Sequence, residues 1–255
     1  MNNFKCKLTF FITTLICSQI TIASDIDHWD FMVEGYAMAS TIEGDAGVGR
    51  VVGADVDVDF DTILENLELG AMVHAEAFYQ NKWGLIFDYG FMDLASDVSL
   101  PLGGVLDAEV HQGVLELFLA RRWSLKEGHV DLYGGIRWWD NDIDVDINPA
   151  ILPGSISIEI EEDWVDPVIG ARWFRPLSEK WTLSVRGDVG GFGVASDSTW
   201  LVSAGAQYKI NQSWKLDLKY KALWVDYEDG TPGQKGYFAY DTVTHGPIVG
   251  VIYNF

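Results

Sequence analysis

The sequence predicts an all-β fold, a closed antiparallel transmembrane β-barrel of ten strands, with eight or twelve as the neighbouring counts. Three observations carry this expectation. Apolar residues alternate with period two along one segment after another. The connections between these segments alternate between short and long. Tryptophans recur beside the short ones.

The alternation is clearest in two places. Between Lys82 and Leu94, Trp83, Leu85, Phe87, Tyr89 and Phe91 share one face, opposite Gly84, Ile86, Asp88, Gly90 and Met92. Between Ser213 and Asp226, Trp214, Leu216, Leu218, Tyr220, Ala222 and Trp224 oppose Lys215, Asp217, Lys219 and Lys221. An apolar stripe with aromatics at its ends, backed by a charged stripe, suits a strand between lipid and a polar lumen. Segments of this kind span 30–42, 68–79, 82–94, 109–123, 129–146, 156–175, 180–191, 198–209, 213–228 and 236–254.

The connections Gln80-Asn81, 124–128, 176–179 and Asn211-Gln212 are short. Those at 43–67, 95–108, 147–155 and 229–235 are longer and polar, and 192–197 is a short exception among them. Short turns on the periplasmic side and long loops outside are the expected topology of such barrels. An even strand count then leaves both termini periplasmic. Two features qualify the first long connection. Residues 43–60 have room for an additional hairpin, and 61–67 break the strand pattern as a short helical turn with Asp61 as N-cap.

Indole is apolar with one polar N–H and favours the membrane–water interface. Trp83, Trp123, Trp173, Trp181 and Trp214 fall beside the short turns and form one expected belt. Trp29 opens the first strand. Trp138, Trp164, Trp200 and Trp224 fall near the far strand ends and form a second.

No apolar run reaches the roughly 20 residues that a membrane-spanning helix needs. The one sustained run, Leu8 to Ile16, follows Lys5 and Lys7 and precedes Ala23 and Ser24, which reads as a secretory signal peptide over 1–24. Residues 25–255 are then the barrel. Cys6 and Cys17 are the only cysteines and both lie in that leader, so the mature chain has no disulfide or thiolate chemistry. The formal charge of −21 argues against nucleic-acid binding, which wants a basic face.

Strand parity points a set of charges inward: Glu34, Glu76, Asp88, Glu116, Asp131, Asp166, Asp188 and Asp217 against Arg122, Arg137, Arg172, Arg186, Lys215, Lys219 and Lys221. The signs nearly balance. Barrels of about eight strands are just filled by their own side chains, so these residues read as an interior network of ion pairs. The same list would also line a narrow charged pore. Other acids recur outside this set, at Asp55, Asp57, Asp59 and Asp61 and at Asp140, Asp142, Asp144 and Asp146, followed by Glu159 and Glu161. On a strand such neighbours sit about 6.6–7 Å apart, too regular for one calcium ion, and suit a solvated acidic rim. No metal or cofactor is expected. His74 beside Glu76 is the best acid/base candidate, although such a pair is more often a satisfied interior hydrogen bond. No histidine sits in a phrase typical of an outer-membrane hydrolase, so the chain is expected not to be an enzyme.

The last strand, Gly246 to Phe255, alternates apolar residues and ends in Tyr253-Asn254-Phe255. It resembles the C-terminal signature of bacterial outer-membrane proteins, which implies recognition by the barrel-assembly machinery in a Gram-negative envelope. The phrases DFDTILENLE (59–68), DWVDPVIG (163–170), RGDVGGFGVASD (186–197) and THGPIV (244–249) resemble an uncharacterised family of small outer-membrane barrels. That resemblance implies a fold and a location without an activity. The expectation is a monomeric outer-membrane barrel, contacting lipid and lipopolysaccharide, with a structural or interaction role and a packed polar interior. A narrow channel for small solutes or cations is the alternative, and an outer-membrane hydrolase the third reading.

Overall fold

The computed structural model describes residues 28–99, 105–148 and 156–255, so the leader falls outside the described residues, as do parts of two long connections. The chain forms β1 (Trp29–Met38), β2 (Thr41–Val48), β3 (Val51–Val58), α1 (Phe60–Asn66), β4 (Leu67–Tyr79), β5 (Trp83–Ser99) and β6 (Val105–Ser124). It continues through β7 (His129–Asn148), β8 (Ile156–Pro176), β9 (Trp181–Gly190), β10 (Ser198–Lys209), β11 (Trp214–Asp229) and β12 (Phe238–Asn254). Ten strands close a ring in the order β1-β4-β5-β6-β7-β8-β9-β10-β11-β12, with β12 paired back to β1. Every neighbouring pair is antiparallel, and the closing seam runs from Met32↔Asn254 to Met38↔Ile248. Closure removes the row of unpaired N–H and C=O groups that an open edge would expose.

Two strands lie outside the ring. The chain leaves the wall after Met38, turns at Ala39 and Ser40, and returns as β2, which pairs with the first half of β12. β3 pairs back onto β2. The long connection at 43–67 is therefore the hairpin that 43–60 had room for, followed by a helix, and the segment expected over 30–42 is two strands. The sequence alternates through 41–58 as regularly as elsewhere, and the acids in it did not prevent pairing because they face water. The helix spans 60–66 rather than 61–67, and its N-cap is Asp59 rather than Asp61: the Asp59 carboxylate accepts from the Thr62 amide at 2.8 Å. Asp61 sits in the first turn, where its charge suits the helix dipole.

The short connections fold as tight turns. Gln80 and Asn81 both take positive φ, near 52° and 51°, at the centre of a turn that the Lys82 amide closes onto the Tyr79 carbonyl at 3.0 Å. Asn211 accepts from the amides of Ser213 and Trp214 at 3.0 and 2.9 Å, pinning the turn before β11. At the other end β5 to β8 extend well past their neighbours, to 17–21 residues each.

Inside and outside follow the parity expected from the sequence. Trp83 and Leu85 are about half exposed on the outer wall, while Ile86, Asp88 and Met92 are buried. Close packing between neighbouring strands needs glycine: a Cβ on Gly170 would fall 2.5 Å from both Asp188 Cβ and Tyr133 Cζ, its partners on β9 and β7. An apolar cluster of Trp139, Trp164, Leu201, Leu223, Val225, Tyr227 and Phe238 fills the lumen toward the long-loop end. A second, with Phe78, Ile86, Phe118, Ala120, Tyr133 and Val168, fills the side nearer the short turns.

Candidate functional site in the barrel lumen

The charged residues read as inward-facing from strand parity all face the lumen. Register sets them in a row. Glu34 on β1 pairs with His74 on β4, His74 with Asp88 on β5, Asp88 with Glu116 on β6, Glu116 with Arg137 on β7, and Arg137 with Asp166 on β8. Six neighbouring strands thus each present one inward polar group at corresponding positions. A second row holds Arg122, Asp131, Arg172 and Arg186 on β6 to β9. On β6, β7 and β8 the two rows stand six residues apart, so they are separate layers of the lumen, with Phe118, Tyr133 and Val168 buried between them.

Contacts within and between these layers cross the lumen. Arg137 is fully buried, and its guanidinium donates to Glu116 at 2.8 and 2.5 Å, to Asp188 on β9 at 2.8 Å and to Thr199 on β10 at 3.1 Å. Arg186 donates to Glu116 and Asp188, each at 2.8 Å, and to the Tyr133 hydroxyl at 2.8 Å. Arg172 donates to Asp131 at 2.9 Å and grips both oxygens of Glu76 on β4, Oε2 at 2.7 Å. β4 and β8 stand four places apart in the ring of ten, so this bidentate pair runs almost diametrically across the barrel. Arg122 reaches back to Asp131 at 2.7 and 2.8 Å and lies over the Phe78 ring.

His74 sits between Glu76 and Asp88, with a ring nitrogen 2.9 Å from each. Asp88 also accepts from the Tyr36 hydroxyl at 2.7 Å. On the opposite side Lys219 bridges Glu34 at 3.4 Å and Asp217 at 2.8 Å. Asp166 is satisfied differently. It accepts from the Trp139 and Trp164 indoles at 3.0 and 3.3 Å and from the Ser196 amide and hydroxyl at 2.9 and 2.7 Å. That ties the 191–197 turn down onto the lumen. Lys215 lines the space near the short turns.

Trp164 corrects the expected outer belt. It is 4% exposed and stacks inside between Trp139 and Tyr227, 3.9 Å from the latter's ring centroid. Its parity matches that of Asp166, two residues on, so the residue that turns Asp166 inward turns Trp164 inward too. Trp139, Tyr36, Tyr133, Ser196 and Thr199 completed the network without having been singled out. Parity with Arg137 points to Trp139, whereas nothing local marks Ser196, which arrives through the fold of a turn. Trp83, Trp123, Trp181 and Trp214 stand on the outer wall beside the short turns, and Trp173 is half-buried there. Tyr253 packs against Trp214 and Phe255 at 4.8 Å each, on the wall beside the closing seam.

Three adjoining cavities lie along the β1, β11 and β12 side, beside these contacts. The one nearest the short turns includes about 840 Å³ of open space, bounded by Glu76, Arg122 and Lys215. The middle one, about 630 Å³, lies beside Glu34, His74 and Lys219. The one toward the long loops, about 650 Å³, is lined mainly by apolar side chains. Tyr36, Asp88 and Lys221 border both of the last two. Among the described residues no cluster of three or more histidine or acidic groups is arranged to hold a metal ion.

The acids outside the lumen form rungs on the outer wall. Asp226, Asp241, Asp45 and Asp55 are direct neighbours across β11, β12, β2 and β3. Asp142 faces Glu161, and Asp144 faces Glu159, across β7 and β8. The wall changes from apolar to acidic within one outward step, from Trp138 and Val165 to their successors Asp140 and Asp163. Asp59 and Asp61 leave this pattern because they cap and open α1.

Neither a protein-family model nor a curated sequence matches the chain. Among solved structures, the translocator domain of autotransporter NalP from Neisseria meningitidis superposes with a TM-score of 0.51 at 12% identity, covering 89% of this chain and 88% of that one. The outer membrane protease OmpT from Escherichia coli superposes with a TM-score of 0.54 at 11% identity, covering 92% of this chain and 99% of that one. At these identities the likeness is one of fold: the chain has the closed antiparallel β-barrel architecture found in bacterial outer-membrane proteins.

Proposed function

We propose that this protein is a closed, non-conducting barrel of the bacterial outer membrane, with its short turns and both termini in the periplasm. Its role is structural and interactive. The observation that carries this reading is the Glu76–Arg172 pair, a doubly bonded arm running from β4 to β8 through the lumen. With the Arg137 and Arg186 clusters above it, the arm crosses the section a solute would have to pass. The outer wall supports the bilayer placement. Exposed Leu85, Leu119, Leu132, Ile136, Val185, Val202 and Val249 form an apolar band, with tryptophans beside the short turns and acids beyond Trp138.

The reading assigns no catalysis. Both His74 nitrogens are engaged by carboxylates of its own barrel, which leaves no free nitrogen to serve a substrate. The acidic rungs would face solvent and lipopolysaccharide headgroups just outside the bilayer. Tyr253 and Phe255 would serve the assembly machinery before the seam closes. The intact outer apolar band favours a monomer in lipid.

Liposome swelling tests the reading. Vesicles carrying the refolded protein should stay osmotically tight to a small sugar at protein densities where an open pore gives rapid swelling. Swelling that scales with protein content would replace the closed barrel with the narrow-channel alternative.

A further inference from the structure

The barrel wall has an interrupted seam. β1 and β4 pair only as far as Tyr36↔Met72, so among the described residues Leu67–Ala71 of β4 have no strand on that side. β3, the end of the strand order, has β2 as its one strand neighbour among the described residues. The helix α1 lies at this break. Its Ile63 is buried against Ile42 of β2 and Met92 of β5, with Val56, Val58 and Leu94 around them. The outward lip of the seam is apolar: Phe60, Leu64, Leu67 and Leu69 are all exposed. Scattered exposed apolar residues need no explanation, but four on one lip mark a surface for an apolar neighbour.

Behind the lip lies a cavity bordered by α1, β1 and β4. It shares Tyr36, Met38, Ser40, Met72, Phe91 and Met92 with the 650 Å³ pocket inside the barrel. The two spaces adjoin from the seam to the lumen, divided by methionine side chains, which adapt to flexible ligands. The inner one ends on Tyr36, Asp88, Glu116 and Lys221. The two acids are already held, Glu116 by Arg137 and Arg186 and Asp88 by His74 and Tyr36. Lys221 has no ion pair among the described residues, whereas Lys219, one inward position away, has two. A partly enclosed ammonium at the end of an apolar passage is complementary to an acid on an apolar chain.

We propose that this pocket binds a single-chain amphiphile, its carboxylate accepting from Lys221 Nζ and its alkyl tail lying along Met72 and Met92 toward the seam beneath α1. Entry from the bilayer rests on the membrane reading above, whereas the pocket itself does not. The binding is testable in lipid nanodiscs with a dodecanoic acid carrying a diazirine at the tail end, mapped by mass spectrometry after irradiation. Adducts are expected on the Met72, Phe91 or Met92 peptides, competed by dodecanoate and poorly by dodecanol. Lys221→Met should weaken labelling about tenfold or more in half-saturating concentration, the scale of one lost charge-assisted contact. Met72→Trp fills the passage without altering charge and should abolish labelling, which keeps the test open if the lysine variant fails to fold. Folding of each variant is checked by its heat-modifiable gel migration. Adducts confined to outer-wall peptides such as those of Leu85 and Leu119 would overturn the proposal. So would labelling insensitive to both substitutions, or equal competition by the alcohol. A barrel that leaks solutes yet takes the label overturns the closed-barrel reading alone, and a tight barrel without label overturns the pocket alone.

Discussion

Arg137 shows what a charge can do in a lumen that apolar packing fills only in part. Its guanidinium is fully buried and satisfies two carboxylates from strands on either side of its own. Desolvating such a group is costly, and a buried pair is no better than apolar packing as a source of stability, but removing one member strands the others. Arg137→Leu is therefore expected to destabilise the refolded barrel by about 3–5 kcal/mol in urea titration. Glu116→Leu together with Arg137→Leu should recover much of that loss, because Asp188 keeps Arg186. If the double variant loses the sum of the two singles, the cost is lost packing and the charge account is wrong. At this scale the sequence was informative wherever alternation held. Counting by twos from Asp88 or Lys215 identified the buried charges, and it also held the answer for Trp164, whose expected place on the outer belt came from its position near a strand end. What alternation does not give is the partner. That Arg172 crosses to Glu76 rather than stopping at Asp131 follows from barrel diameter and strand tilt, which no local pattern encodes.

The hairpin β2–β3 is the element the sequence read least well, whereas the helical turn expected over 61–67 lies within one residue of α1. The alternation in 41–58 is ordinary, but its acids suggest a loop, and pairing with β12 is a contact between residues about two hundred positions apart. Like charges stand directly opposite in this extension, Asp241 between Asp226 and Asp45 above all. Like charges so placed are destabilising, by the same few tenths to 1 kcal/mol that opposite charges contribute, roughly. Asp241→Asn should accordingly raise the urea midpoint, and a lowered midpoint would mean that the carboxylate makes a contact the repulsion account omits. The helix depends on its cap. The bond from Thr62 holds the Asp59 carboxyl below its ordinary range. A carboxyl with a depressed folded-state pKa contributes stability above its unfolded value and loses it as pH falls through the folded one. Amide protection in α1 should therefore be present at neutral pH and fade in acid, below the usual aspartate range. Asp59→Ala should lose it at every pH and Asp59→Asn should retain it, since an amide oxygen also caps. Acid-insensitive protection in the native chain would refute the role of Asp59.

For the whole molecule, the layers divide cleanly: an apolar outer band, charged rows across the lumen, and acids where the strands rise beyond it. This much was legible from alternation, loop lengths and the turn-side tryptophans, because the bilayer reading makes each strand report its own two faces. Strand count was legible as ten because ten close the ring, while the two extra strands lie outside it. Brominated-lipid quenching tests the placement residue by residue. In chains with a single retained tryptophan, Trp181 and Trp214 should be quenched strongly and Trp164 hardly at all, with the reverse order contradicting it. The central claim, that the lumen is closed by its own ion pairs, is tested most directly by single-channel recording in planar bilayers. The native protein should show no unitary steps, and Glu76→Ser, Arg172→Ser and Arg186→Ser combined, which withdraw the crossing arms, should produce them. Steady, unitary current through the native barrel would contradict the account.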